Sequence, residues 1–145
     1  MCGRPVSAPP VRSARTDDAG EVLALWAQAR SSHATTPDDE GAIERLLGRD
    51  RDSLLVAESD GRVVGALVAA WDGWRGNMYR LAVEPGTRRR GIARALVAEG
   101  ERRLGERGAR RVTVLMGAGD EVAAGLWAAT GYQHDARIAR WVKNL

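Results

Sequence analysis

The sequence predicts a single α/β (α+β) domain, and three observations carry that reading. Met78 to Val83 is a short, mostly apolar run of strand length. Behind it Ile92, Leu96, Val97 and Leu104 recur on one helical face, with Arg94, Glu101 and Arg102 mainly on the others. Upstream, Leu54 to Glu58 and Arg62 to Trp71 are two further strand-like runs on either side of Asp60-Gly61, a two-residue hairpin signal. At 145 residues the chain fits one domain able to bury a core, and it contains no internal repeat.

Taken in order, Met1 to Pro10 holds Pro5, Pro9 and Pro10 among small residues and is expected to be a flexible tail, with one domain over 11–145. Val11 to Ala14 suits a short first strand. Thr16 is a suitable N-cap, followed by Asp17 and Asp18 where negative charge complements the helix dipole. That helix runs to about Arg30 and buries Val22 and Leu25, with Trp26 open between the core and a pocket wall. Ser31 to Pro37 reads as a loop and Asp38 to Leu47 as a second helix. After the hairpin, Asp72-Gly73-Trp74-Arg75-Gly76 turns the chain into the strand ending at Val83. Glu84-Pro85-Gly86 stops that strand, because proline lacks a donor and glycine tolerates positive φ. Gly108 closes the following helix as a left-handed cap. Arg111 to Met116 is the next strand and Glu121 to Thr130 the last helix. From Tyr132 onward two final strands are expected, the second near Ile138 to Val142.

Composition narrows the classes. Hydrophobic residues make up 44% and charged residues 28%, as in ordinary globular proteins. The longest apolar run, Val63 to Trp71, is too short to cross a bilayer, and no apolar signal core opens the chain. The cytoplasm is the expected address. Cys2 is the only cysteine, which excludes an internal disulfide and a cysteine-based zinc cluster. The net charge is +3, with Lys143 as the single lysine, but the arginines are interleaved with acids. No platform of basic and aromatic residues argues for nucleic acid. His33 and His134 do not make a metal site, and no metal is expected.

The strand, the turn with Arg88, Arg89, Arg90 and Gly91, and the helix behind it together form an anion site. The first N–H groups of a helix lack internal partners and lie at the positive end of its dipole, and glycine admits a ligand close to the backbone. A solvated arginine run before an ordinary helix is the alternative. Arg88-Arg89-Arg90-Gly91-Ile92-Ala93 fits the Arg/Gln-x-x-Gly-x-Gly/Ala signature of the GNAT superfamily of N-acetyltransferases, and Leu81-Ala82-Val83-Glu84-Pro85 precedes it as it does in such proteins. The last helix adds Asp120, Ala123, Leu126 and Trp127, then Gly131-Tyr132, against a family pattern of Asn-x-x-Ala-x-x-Leu-Tyr and Gly-Phe/Tyr. Over about Val11 to Leu145 the chain resembles a small stand-alone bacterial GNAT acetyltransferase.

The resemblance implies a central mixed, mostly antiparallel sheet of six to seven strands with about four helices, strands four and five splayed around the pantetheine arm of acetyl-CoA. It implies that Leu81, Ala82 and Val83 bind that arm through their backbone, with the Val83 N–H holding the oxyanion, an interaction worth roughly 3 kcal/mol. Arg88, Arg89, Arg90, Gly91, Ile92 and Ala93 would hold the diphosphate, and Asp120 and Trp127 would line the cofactor. The implied activity moves acetyl from acetyl-CoA to a primary amine by direct attack in a ternary complex. The alternative is a non-catalytic acyl-CoA-binding sensor or interaction module. The partners implied are acetyl-CoA and an amine acceptor, with the chain a monomer or homodimer.

Two departures bear on mechanism. Asp120 stands where the family pattern has Asn, and Trp127 stands at the position of the Tyr that protonates the departing thiolate. An indole N–H does not ionise in this range, so Trp127 either hydrogen-bonds the sulfur or packs as a core aromatic. A thiol of pKa near 8.5 is a fair leaving group without an acid. No side chain is an obvious base. Asn77 and Tyr79 are expected on the same side as Val83 by period-two alternation, and Tyr79 and Asp72 join Val83 and Trp127 as candidate catalytic residues. Asp72 either acts through a water, binds a cationic amine, or only forms the turn. Trp26 and Trp74 fall where the family's acceptor pocket is walled.

Overall fold

The computed structural model describes residues 10–29, 37–87 and 91–145. Five strands form one sheet in sequence order: β1 (Val11–Ser13), β2 (Leu54–Ser59), β3 (Arg62–Trp71), β4 (Gly76–Val83) and β5 (Val112–Val114). The first four are antiparallel neighbours, and β5 runs parallel to β4. Four helices accompany them: α1 (Ala19–Ala29), α2 (Glu40–Arg49), α3 (Ile92–Glu106) and α4 (Glu121–Ala129). The mixed sheet and four helices agree with the fold expected from the sequence. The expected tail lies, apart from Pro10, outside the described residues, as does the expected loop from Ser31 through Thr36.

One face of the sheet carries α1 and α2, and there Val22, Leu25, Trp26, Ile43 and Leu47 pack on Leu54, Val56, Val68 and Ala82. The other face carries α3 and α4. Ile92, Leu96, Val97, Leu104 and Trp127 pack there on Leu55, Leu67, Ala69 and Met78. The four apolar residues of the α3 stripe are all buried, as their spacing predicts. The β2–β3 hairpin turns through Asp60 at φ 52° and Gly61 at φ 74°, the backbone that a two-residue type I′ turn requires.

Three expectations need correction. Thr16 is not a cap. Residues Thr16–Asp18 form a 3₁₀ turn, and the Asp18 carboxylate reaches back to accept the Arg15 N–H at 2.7 Å. Arg12 holds the same carboxylate through two donors at 2.7 and 2.9 Å. The fifth strand is shorter than the apolar pattern suggests, because only Val112, Thr113 and Val114 stand in register with β4 residues. Finally, no strand follows β5 among the described residues. The chain turns at Asp135, whose side chain accepts the Arg137 N–H, and Ile138, Trp141 and Val142 are exposed. Alternating apolar residues suit a strand only when an edge pairs with them, so among the described residues the sheet has five strands, against the six to seven expected.

Candidate active site

The useful feature of β4 is that its two halves have different neighbours. Gly76, Asn77 and Met78 pair with β5, and the Leu115 N–H still donates to the Met78 carbonyl at 3.2 Å. Beyond Met78 no β5 residue pairs with β4, and the two strands part. The gap is lined by Arg80, Leu81 and Ala82 from β4, Met116 and Gly117 after β5, Asp120, Ala123 and Trp127 from α4, and Trp26 and Ala29 from α1. This is the splay that the sequence resemblance implies.

A bulge sits inside the open half. Val68 pairs with Tyr79 and Ala66 with Ala82, so Leu67 alone faces both Arg80 and Leu81. Arg80 takes φ 57°, in the left-handed region that side chains other than glycine rarely occupy. The extra residue shifts the alternation by one. Tyr79 therefore packs with the α1–α2 face, while Leu81 and Val83 pack with the α3–α4 face. The expectation that Tyr79 shares a side with Val83 fails for this reason.

Backbone geometry past the bulge is informative. The Glu84 N–H donates to the Val64 carbonyl at 2.8 Å, and Gly65 is paired with Val83. In an antiparallel ladder bonded and non-bonded pairs alternate, so the Val83 N–H and C=O point away from β3. They face the side from which β5 has departed. The same end of the sheet holds the start of α3, since Gly65 lies against Ile92 and Leu96. Proline-85 to Thr87 make a 3₁₀ turn, and Thr87 is buried with its hydroxyl donating to the Glu84 carbonyl at 2.9 Å. Gly91 precedes α3 at φ 74°, with open space where a Cβ would stand. Glycine is thus required there by conformation and not by crowding. Arg88, Arg89 and Arg90 lie outside the described residues. The Ile92 side chain is in the core, so only its backbone can meet a ligand, and Ala93 is half-buried beside it.

The remaining candidates divide. Asp120 caps α4 by accepting the Ala123 N–H at 3.0 Å, which places its carboxylate at the mouth of the gap but already occupied. Trp127 is buried, lines the gap and packs edge-on against Tyr132, with ring centroids 5.1 Å apart. Burial pushes the Tyr132 phenol up to about 12, and raises that of Tyr79 as well. Both stay neutral at pH 7 and can donate a hydrogen bond, but neither is a base there. Trp26 is buried, lines the gap, and donates its indole N–H to the Arg80 carbonyl at 3.0 Å.

Asp72 and Trp74 are not among the lining residues. They belong to the turn before Gly76, at the far end of β4 from Val83, a separation on the order of 20 Å for a strand of this length. Asp72 accepts the N–H groups of Trp74 and Arg75 at 2.7 and 2.6 Å, and those donors hold its carboxyl below the usual range. Trp74 is exposed. The structure brings Trp26 and Trp127 together across the gap and leaves these two outside it. Arg80, Met116 and Gly117 line the gap without any signal in the sequence that singles them out. Among the described residues, no cluster of three His, Cys, Asp or Glu side chains could hold a metal ion, and no helix is long and apolar enough to cross a membrane.

A sequence model of the Acetyltransferase (GNAT) family matches residues 21–132, more than half of the chain. The chain belongs to the GNAT acetyltransferase family. Solved structures with this fold include Ard1 from Thermoplasma volcanium, at 20% identity and a TM-score of 0.78, covering 89% of this chain and 85% of that one. A ribosomal-protein-alanine N-acetyltransferase from Brucella melitensis is 27% identical, with a TM-score of 0.69 and coverage of 84% and 83%. A Mycobacterium tuberculosis protein solved in complex with CoA and NLQ is 24% identical, with a TM-score of 0.65 and coverage of 81% and 70%.

Proposed function

We propose that this GNAT protein transfers acetyl from acetyl-CoA to a primary amine by direct attack within a ternary complex. The observation that carries the reading is the open half of β4. Beyond Met78 its backbone has lost β5, and the Val83 N–H points into the opening at the end of the sheet where α3 begins. The pantetheine amides would complete the sheet in the place β5 leaves. The diphosphate would meet the first N–H groups of α3 beside Gly91, with Arg88, Arg89 and Arg90 supplying charge. The thioester carbonyl would lie against the Val83 N–H. As the amine nitrogen bonds to the carbonyl carbon, negative charge on oxygen would be held by that donor; the C–S bond then breaks and the sulfur leaves as thiolate. A side-chain amine of pKa near 10.4 must lose a proton to water before or during attack, whereas an α-amine, with a pKa of about 7.7–8.0, is already partly neutral at pH 7. Asp72 is too far from Val83 to take the proton directly. Cytoplasmic action on a soluble acceptor fits this chemistry.

Likeness to the ribosomal-protein-alanine N-acetyltransferase supports the α-amine of a protein N-terminus as the first acceptor to try, with small amines next. The test is calorimetry of acetyl-CoA with the parent, Arg88→Glu and Gly91→Val, together with thiol release over an amine panel. Both variants are expected to weaken acetyl-CoA strongly; unchanged affinity in both would remove the diphosphate site. Trp127 decides between enzyme and binding module. If its indole holds the sulfur, Trp127→Phe lowers kcat with little change in acetyl-CoA affinity. Trp127→Tyr should be at least as active as the parent. Binding of acetyl-CoA with no thiol release for any amine would instead favour an acyl-CoA sensor.

A further inference from the structure

Arg80 occupies a conformation that needs outside support. A non-glycine residue at φ 57° sits in a sparsely populated region and persists only where its surroundings hold it. Among the described residues, two of its contacts come from the helical layer. The Trp26 indole, buried on α1, donates to the Arg80 carbonyl at 3.0 Å. The Arg80 guanidinium meets Asp38, just ahead of α2, at 2.8 Å, with side chains only 24% and 13% exposed. One contact fixes the backbone of the bulged residue and the other its side chain. The bulge in turn sets which groups of Leu81, Ala82 and Val83 face the gap, because it shifts the alternation by one.

We propose that Trp26 and Asp38 are positioning residues that clamp the Arg80 bulge and so aim the cofactor-facing backbone of β4. The proposal rests on the acetyl-CoA site assigned above. It makes α1 and the start of α2 more than a cover over the sheet. They hold the register in which the strand receives its ligand. Glycine at position 80 would adopt φ 57° without support, so it would make the clamp dispensable.

The test uses the full chain and acetyl-CoA as the probe. Trp26→Phe keeps the ring and removes the N–H. It is expected to weaken acetyl-CoA about tenfold by calorimetry, the size of one lost hydrogen bond to a strained carbonyl. Hydrogen exchange should quicken for amides of residues 79–83 and stay at the parent rate in α3. Adding Arg80→Gly together with Asp38→Asn, so that no carboxylate is left unpaired, should restore affinity to within about threefold of the parent. A side chain that merely fills space gives no such rescue. Unchanged affinity and exchange in Trp26→Phe would overturn the clamp, as would failure of the glycine rescue. If Trp26→Phe loosens α3 as well, Asp38→Asn alone carries the same two readouts. A parent that does not bind acetyl-CoA would defeat the assigned function, while local exchange at 79–83 still decides the clamp.

Discussion

Gly65 and Val83 face each other across the β3–β4 ladder and sit in opposite surroundings. Gly65 is pressed under α3. A Cβ there would stand 2.8 Å from Ile92 Cγ2 and 2.9 Å from Leu96 Cδ1. Gly100 mirrors it from the helix, where a Cβ would meet Met78 Sδ at 2.9 Å. Val83, one strand over, turns its backbone groups toward space that β5 has left. The closed side of the sheet is held by close contact between buried side chains. The open side is held by backbone shape, a bulge and its clamp. The first is a source of stability and the second a source of binding. Substitutions should separate them.

The largest effect belongs to the closed side. Gly65→Val must push Ile92 and Leu96 out of a filled core, and overpacking of this kind costs about 3 kcal/mol. Urea unfolding should show a lower midpoint with the slope unchanged. A midpoint equal to the parent's would mean that α3 can move away from the sheet without cost.

On the open side the matching substitution is Val83→Pro. Its ring removes an N–H that β3 does not use, so the ladder survives. The predicted loss is about 100-fold in the rate of thiol release, the effect of deleting one oxyanion donor, with acetyl-CoA still bound and the urea midpoint close to the parent's. Val83→Ala, which keeps the N–H, is the control and should retain turnover. Equal rates for the proline and alanine variants would take the oxyanion role away from Val83.

The two sides also differ in how legible they are in the sequence. The closed side follows from periodicity: the α3 stripe, the Asp60-Gly61 turn and the apolar runs of β2 and β3 each have a local cause and each is found. The turn before α3 and the last helix carry residue-specific signatures, and these point to the family. The open side depends on where pairing stops, which is a relation between distant segments. Nothing in Tyr79-Arg80-Leu81 announces a bulge, since arginine is an ordinary strand residue and its support comes from Trp26 and Asp38. The length of β5 is likewise decided by β4. Ile138 to Val142 has strand-like residues but no edge to pair with in the described chain. Asp72 has the chemistry of a site residue in the sequence, but the structure uses it as a turn.

A third substitution probes the closed side electrostatically. Asp18 is buried under two Arg12 donors and the Arg15 N–H, and Arg12 foremost holds its carboxyl below the ordinary value of 3.8. Arg107 does the same for Asp50. A carboxyl whose folded pKa is depressed stabilises the fold above its unfolded pKa, and that contribution disappears as pH falls through the folded value. Stability should therefore be level from pH 7 to about 5 and decline below about 4. Asp18→Asn should cost about 2 kcal/mol at pH 7, since hydrogen bonds to a charged group are lost. It should also flatten the acid limb, because one of the titrating groups is gone. A variant with the parent's full acid dependence would show that Asp18 is not among the groups responsible.

The smallest effect is expected at Asp72, and its smallness is informative. Its carboxylate accepts two N–H groups of its own turn and lies at the end of β4 remote from the gap. Asp72→Ala should remove the turn's internal bonds and lower the urea midpoint only slightly, because the contacts are made in full view of solvent. Turnover and acetyl-CoA affinity should stay at parent values, and the pH–rate profile should keep its shape. Asp72→Asn is the finer probe, because its amide oxygen can still accept both N–H groups while the charge is gone. It should fall between parent and alanine in stability and match the parent in rate. A tenfold fall in kcat for Asp72→Asn, with the urea midpoint unchanged, would mean that the carboxylate reaches the acceptor amine. In that case the far turn must move toward the gap when ligands bind, and the division between a closed, stabilising side and an open, binding side would not survive in the working complex.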